Sequence, residues 1–191
     1  MTKRILMIAG PNGAGKTTTA LSLLPAHAVY EFINADEIAR GLAPIHPESM
    51  SLTASKLMIK RFRDLLAAKK SFAFETTASG INYLKHLKEA RNYGYEINLF
   101  FLWLSSDDLA VKRVAKRVAQ GGHNIPEETI RRRYKSGIKN MVRFYLPLSD
   151  NAIILDNSLQ DSQTVVMKKS NEDGTIILKP HIWEVIQRMA E

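Results

Sequence analysis

Cysteine is absent from the 191 residues, which excludes disulfides, thiolate metal sites and a cysteine nucleophile. Long apolar runs are absent as well: no stretch approaches the roughly 18 residues needed to span a bilayer. The opening MTKRILMIAG sets basic residues before an apolar run, as secretory leaders do. That run stops at Gly10 after about five apolar positions, too short for a leader core. A cytoplasmic protein with no membrane association is expected. Aromatic residues make up only 8% of the chain, and neither tryptophan reads as a stacking platform. Trp103 sits inside an apolar strand and Trp183 in a terminal helical segment, so both read as core. Positive charge, by contrast, is in excess: 27 Lys and Arg against 19 Asp and Glu give a formal +8, which implies an anionic partner.

Apolar runs alternate with segments of helical period from end to end, the pattern of a parallel sheet wrapped by helices. RILMIAG reads as a first strand, KTTTALSLL as a first helix, YEFINAD as a second strand and residues 48–69 as a long helix. SFAFETT is a third strand, followed by a helix over residues 81–91. EINLFFLWLS is a fourth strand, and two helices follow near 107–119 and 126–141. NAIILDNS is a fifth strand. TVVMKK and TIILKP flank SNEDG, a hairpin with Asp-Gly at its turn, and HIWEVIQRMA closes as a helix. With 45% hydrophobic content and no repeat or linker, residues 1–191 read as one α/β domain.

The motif that carries chemistry is Gly10-Pro11-Asn12-Gly13-Ala14-Gly15-Lys16-Thr17, which matches G-x-x-x-x-G-K-[ST] between a strand and a helix. Its glycines let backbone N–H groups wrap phosphate oxygens, and the helix N-terminus adds partial positive charge. Lys16, expected in an exposed loop, would reach the β- and γ-phosphates of ATP. The Thr17 hydroxyl would ligate Mg²⁺, with Thr18 beside it. This assigns the donor and leaves the acceptor open.

In parallel α/β sheets ligands sit beyond the carboxyl ends of the strands. Asp36, past the second strand, and Glu75, at the end of the third, are therefore candidates for positioning a base and Mg²⁺, the latter through water. The alternatives are a helix N-cap for Asp36 and an ion pair with a surface lysine for Glu75. Thr76 and Thr77 would line the acceptor pocket.

The segment from Asp107 to Leu146 holds ten basic and four acidic residues, +6 of the chain's +8. In small P-loop kinases the segment after the fourth strand is a lid whose arginines close over phosphates. Arg117, with Arg131 or Arg132, is the candidate pair. His123, on the glycine-flanked connection, is a further phosphate contact or simply an exposed side chain.

GPNGAGKTT, NADEIA, FETTASG, GGHNIPEETIRRRY and the closing LDNS…DGTIILKPHIW together resemble the zeta-toxin family of P-loop kinases, over nearly the whole chain. The resemblance implies a three-layer sandwich on a five-stranded parallel sheet in the order 2-3-1-4-5. It implies ATP and Mg²⁺ as donor system, and Asp36 as general base. It also implies a small-molecule acceptor such as the nucleotide sugar UDP-N-acetylglucosamine, and a possible antitoxin protein that occludes the ATP site. Where those toxins carry an arginine before a Thr-Pro pair, this chain has His123-Asn124-Ile125-Pro126. The second phosphate arginine then falls to the run Arg131-Arg132-Arg133.

The expected activity is ATP-dependent phosphorylation of a small molecule. A nucleic-acid 5′-hydroxyl kinase is the rival enzyme, disfavoured because the charge lies over the ATP lid and no aromatic platform is exposed. A low-turnover nucleotide-binding module acting through a protein partner is the rival from another class.

Overall fold

Five consecutive residues of β1 (Lys3–Ala9), Ile5 to Ala9, are buried, because the strand lies between two parallel neighbours and is covered on both faces. In the computed structural model, which describes residues 2–122, 124–159 and 162–191, Ile5 is in register with Phe72 on one side and Ile97 on the other. Those neighbours are β3 (Phe72–Thr76) and β4 (Tyr95–Trp103). Beyond β3 lies β2 (Phe32–Ile33), and beyond β4 lies β5 (Asn151–Asp156). These strands run parallel in the order expected from the sequence. The sheet does not stop there: β6 (Thr164–Ser170) pairs antiparallel with β5, and β7 (Gly174–Ile177) with β6. The order is β2-β3-β1-β4-β5-β6-β7, seven strands in one mixed sheet. The terminal hairpin thus extends the sheet.

Helices cover both faces: α1 (Lys16–Ala26), α2 (Ala35–Leu42), α3 (Ser51–Ala67), α4 (Asn82–Asn92), α5 (Asp107–Ala119), α6 (Glu127–Asn140), the short α7 (Leu146–Leu148) and α8 (Pro180–Arg188). Phe62 on α3 is fully buried and meets Phe72 and Phe74 of β3 edge to face, with centroids at 4.8 and 5.3 Å. Truncating such a ring costs about 3–5 kcal/mol, so this cluster fixes α3 on the strand that carries Glu75. Both tryptophans are buried, as their contexts implied.

Two boundaries differ from the sequence pattern for identifiable reasons. The expected strand YEFINAD is only two residues long, because Asn34 ends it by capping α2: its Oδ1 accepts from Asp36 N at 2.8 Å and Glu37 N at 3.4 Å. The expected helix at 126–141 runs on through a π turn, Met141–Tyr145.

That π turn positions the site. Asn140 Nδ2 donates to Ala78 O at 3.0 Å, and the Tyr145 hydroxyl to Gly80 O at 2.6 Å. Residues five apart on an α-helix diverge by about 140°, and the wider π turn lets both reach one loop. Gly137 completes the contact, since a Cβ there would stand 2.5 Å from Thr77 O. The loop after β3 is thereby clamped by the far side of the basic segment. Among the described residues no helix is long and apolar enough to cross a membrane.

Candidate active site

The loop joining β1 to α1 passes so close to β4 that a Cβ on Gly10 (φ 145°) would stand 2.4 Å from Leu102 O, so the turn admits only glycine. Asn157, just past β5, pins the far side by donating from Nδ2 to Ala14 O at 2.7 Å. Lys16 is not in an exposed position: its side chain is 7% accessible, and Nζ donates to Pro11 O at 3.0 Å and stands 3.7 Å from Glu75 Oε1. Burial lowers the Lys16 ammonium below its ordinary value, Glu75 and Asp36 oppose that shift, and Arg117 adds to it.

Glu75 is the hub. Its Oε2 accepts from the Thr17 hydroxyl at 2.7 Å and from Asn34 Nδ2 at 2.9 Å. The lysine near it is Lys16 of the phosphate loop rather than a surface lysine. Asn34 was not anticipated, although its residue type is as good a cap as aspartate. It joins three things with one amide: the start of α2, Glu75 and the phosphate loop. Because Asn34 takes the cap, the Asp36 carboxylate does not. Asp36 is exposed, and its side chain makes no hydrogen bond among the described residues.

Asp36, Lys16, Glu75, Thr76, Thr77 and Arg117 line one cleft of about 350 Å³. Asn12 faces the same cleft, 5% accessible, with an Oδ1 that has no partner among the described residues. The two threonines are already engaged: Thr76 Oγ1 accepts from Ala78 N at 3.1 Å, and the Thr77 hydroxyl pairs with that of Ser79 at 2.9 Å. A second cleft of about 510 Å³, on the other side of the loop, is lined by Gly15, Thr18, Arg113, Arg117, Asn157 and Gln163. Arg113 donates to Ser158 O at 3.0 Å. Arg117 lines both clefts and stands where they meet.

The arginine run of α6 divides. Arg131 is held by Asp108 at 2.7 Å, Glu127 at 2.8 Å and Asp107 at 3.2 Å, and hydrogen bonds to these carboxylates, Glu127 first, raise its guanidinium above the ordinary value. Arg132 is exposed on the outer surface with Glu128 and Lys135. Neither lines the two clefts. Arg133 does, half-buried in the cleft of Asp36 and Glu75. His123 lies outside the described residues.

The residues present fit ATP and Mg²⁺. The loop amides and Lys16 suit the phosphates, and the unsatisfied buried Asn12 Oδ1 offers an acceptor beside them. Among the described residues no three His, Asp or Glu side chains form a metal cluster. Mg²⁺ needs only one or two protein oxygens beside phosphate and water, and Thr17 and Glu75 stand together to provide them.

Residues 5–136 match the family described as an AAA domain. A Haemophilus influenzae protein named only as uncharacterized is 28% identical over 134 residues, covering 70% of this chain and 94% of that one. Among solved structures, the chain is similar to one of the PezAT chromosomal toxin-antitoxin system of Streptococcus pneumoniae: TM-score 0.64, 14% identity, 99% of this chain and 86% of the other. It is also similar to one in the AvrRxo1-ORF1:-ORF2 structure with ATP: TM-score 0.70, 15% identity, 97% of this chain and 63% of the other. At such identities these likenesses show a shared fold. With more than half its length matched, and the loop, sheet and clefts in place, the chain belongs to the AAA-domain family.

Proposed function

We propose that the chain is an ATP- and Mg²⁺-dependent kinase of small molecules, of zeta-toxin type, acting on a sugar-type hydroxyl held between Asp36 and Glu75. The observation that carries this reading is the shared cleft: an uncommitted carboxylate, Asp36, faces the space lined by Lys16 and Glu75, and Arg117 joins it to the donor side. ATP with Mg²⁺, when bound, supplies the phosphoryl group and draws negative charge from it. Lys16 and the loop amides hold the donor phosphates. Thr17 and Glu75, which stand together, would hold the metal, the carboxylate through water. Asp36 would take the proton of the acceptor hydroxyl onto its carboxylate as that oxygen bonds to the γ-phosphorus and the bond from it to the ADP oxygen breaks. Arg117 steadies charge at the junction of the clefts. Arg131, tied to three carboxylates, and the outward Arg132 are poorly disposed for that task without rearrangement of α6.

UDP-N-acetylglucosamine is the first acceptor to try, on the zeta-toxin resemblance. The likeness to a chain of the PezAT system supports a protein partner of antitoxin type. Cytoplasmic location belongs to the same reading.

Asp36→Asn tests the assignment cleanly. Asn34 already caps α2, so the variant should fold and bind ATP as the parent does, yet lose transfer by ~10²-fold or more. Single-turnover transfer from labelled ATP, with UDP-N-acetylglucosamine in one arm and a 5′-hydroxyl oligonucleotide in another, reads the outcome. Near-parental transfer by the variant removes Asp36 as base, and transfer confined to the oligonucleotide arm favours a nucleic-acid kinase.

A further inference from the structure

Arg133, Gly137 and Asn140 lie on one face of α6, at i, i+4 and i+7. Gly137 and Asn140 seat that face on the loop after β3, and the contact carries Arg133 over the cleft. Among the described residues its guanidinium makes no hydrogen bond and no ion pair within 4 Å. Its neighbours differ: Arg131 has three carboxylates, and Arg40, also lining the cleft, is committed to Glu37 at 3.1 Å. Burial pulls the Arg133 guanidinium below its ordinary value, with Asp36 the nearby charge that opposes it.

A cation taken partly out of water is destabilising, and no carboxylate among the described residues stands within ion-pair distance to offset the loss in full. Asp36 attracts it from a distance, but its carboxylate is needed by the acceptor hydroxyl. The cleft lining is positive, with Lys16, Arg40, Arg117 and Arg133 against Asp36 and Glu75. Lys16 and Arg117 are accounted for by the donor phosphates, which leaves Arg133 as the unassigned cation. A guanidinium is a planar fork suited to phosphate or carboxylate.

We propose that Arg133 seats an anionic group, phosphate or carboxylate, carried by the acceptor itself. The word acceptor rests on the kinase reading; the anion seat does not. The cleft, about 350 Å³, is near the lower end of the range of ligand pockets, about 300–1,000 Å³. It has room for a molecule of sugar-phosphate or sugar-acid size.

The experiment uses the full chain, with Mg²⁺ and a non-hydrolysable ATP analogue filling the donor cleft. Binding of inorganic phosphate, acetate, glucose 6-phosphate, gluconate and glucose is followed by NMR titration. A charged hydrogen bond is worth roughly 1.5–3 kcal/mol, so anionic probes should bind roughly ten- to a hundredfold tighter than glucose. The phosphate and carboxylate arms tell the two anions apart. Arg133→Ala and Arg133→Gln should abolish that preference, and Arg133→Lys should keep part of it, with analogue affinity changed less than about twofold. No anion preference in the parent, or a preference that survives both neutral variants, overturns the proposal. So does an analogue affinity that falls tenfold or more in those variants, which would assign Arg133 to the donor. Failure of the kinase reading shows separately, as failure of the parent to bind the analogue, and the anion comparison is then made without it.

Discussion

Asn34→Ala removes two interactions at once, and their sizes follow from the geometry. The first is the α2 cap, a bond of 2.8 Å to Asp36 N and a longer one to Glu37 N; losing such a cap costs about 0.5–2 kcal/mol. The second is the 2.9 Å bond from Nδ2 to the Glu75 carboxylate, worth about 1.5–3 kcal/mol. The sum is roughly 2–5 kcal/mol, and at about 2–4 °C per kcal/mol for a chain of this size Tm should fall by roughly 4–20 °C. Asn34→Ser separates the parts. Serine caps as well as asparagine but is too short to reach Glu75, so Ser should recover about 1 kcal/mol, or some 2–4 °C, relative to Ala. Asn34→Asp keeps the cap while placing a second carboxylate beside Glu75, and its deficit should shrink as pH falls and one of the pair takes a proton. Calorimetric melting of the nucleotide-free protein is the assay. Equal melting of the Ala and Ser variants would refute the cap. A Ser variant within about 1 °C of the parent would show that the bond to Glu75 contributes nothing.

Lys16→Ala should leave far-UV circular dichroism unchanged while weakening a fluorescent ATP analogue at least tenfold and abolishing transfer; unchanged affinity would remove the phosphate-loop assignment. Burial pushes the Tyr83 hydroxyl up to about 12. The unfolded chain therefore releases that proton first, and stability is lost as pH rises from about 10 through about 12. Urea unfolding across that window should show a shallower loss for Tyr83→Phe than for the parent, and an identical slope would mean that the phenol is not shielded in the folded state.

The phosphate loop was legible because its motif is a local backbone requirement: glycine at the close approach to Leu102, then lysine at the head of a helix. The helix expected near 107–119 is α5, and the structure shows Ser106 capping it with Asp107 and Asp108 in the first turn. Asn34 was not legible, because the apolar run before it reads as strand, and nothing local shows that its side chain ends the strand by turning back on α2. The fate of the terminal hairpin depends on which edge β6 meets, and that pairing with β5 is settled only in three dimensions. Arginines 131 to 133 point in successive steps of about 100°, so composition alone could not choose among them. A signal was nonetheless present. Glu127 lies one turn before Arg131 and claims it, while Gly137 lies one turn after Arg133 and marks the face that must approach backbone closely.

The π turn at Met141–Tyr145 has a consequence for how such a chain can change its length. Deleting one residue there lets the helix return to ordinary winding with Tyr145 four residues after Asn140, about 40° apart, so the two side chains keep one face. Tyr145 would keep Gly80 as Asn140 keeps Ala78, and the grip on the loop after β3 would hold. A second deletion would turn Tyr145 by a further 100° or so and alter the shape of a pocket whose lining residues are all untouched. Insertions in the exposed turn between β6 and β7 carry no such penalty. Length variation among relatives should therefore be free at the hairpin and confined to a single residue across these five.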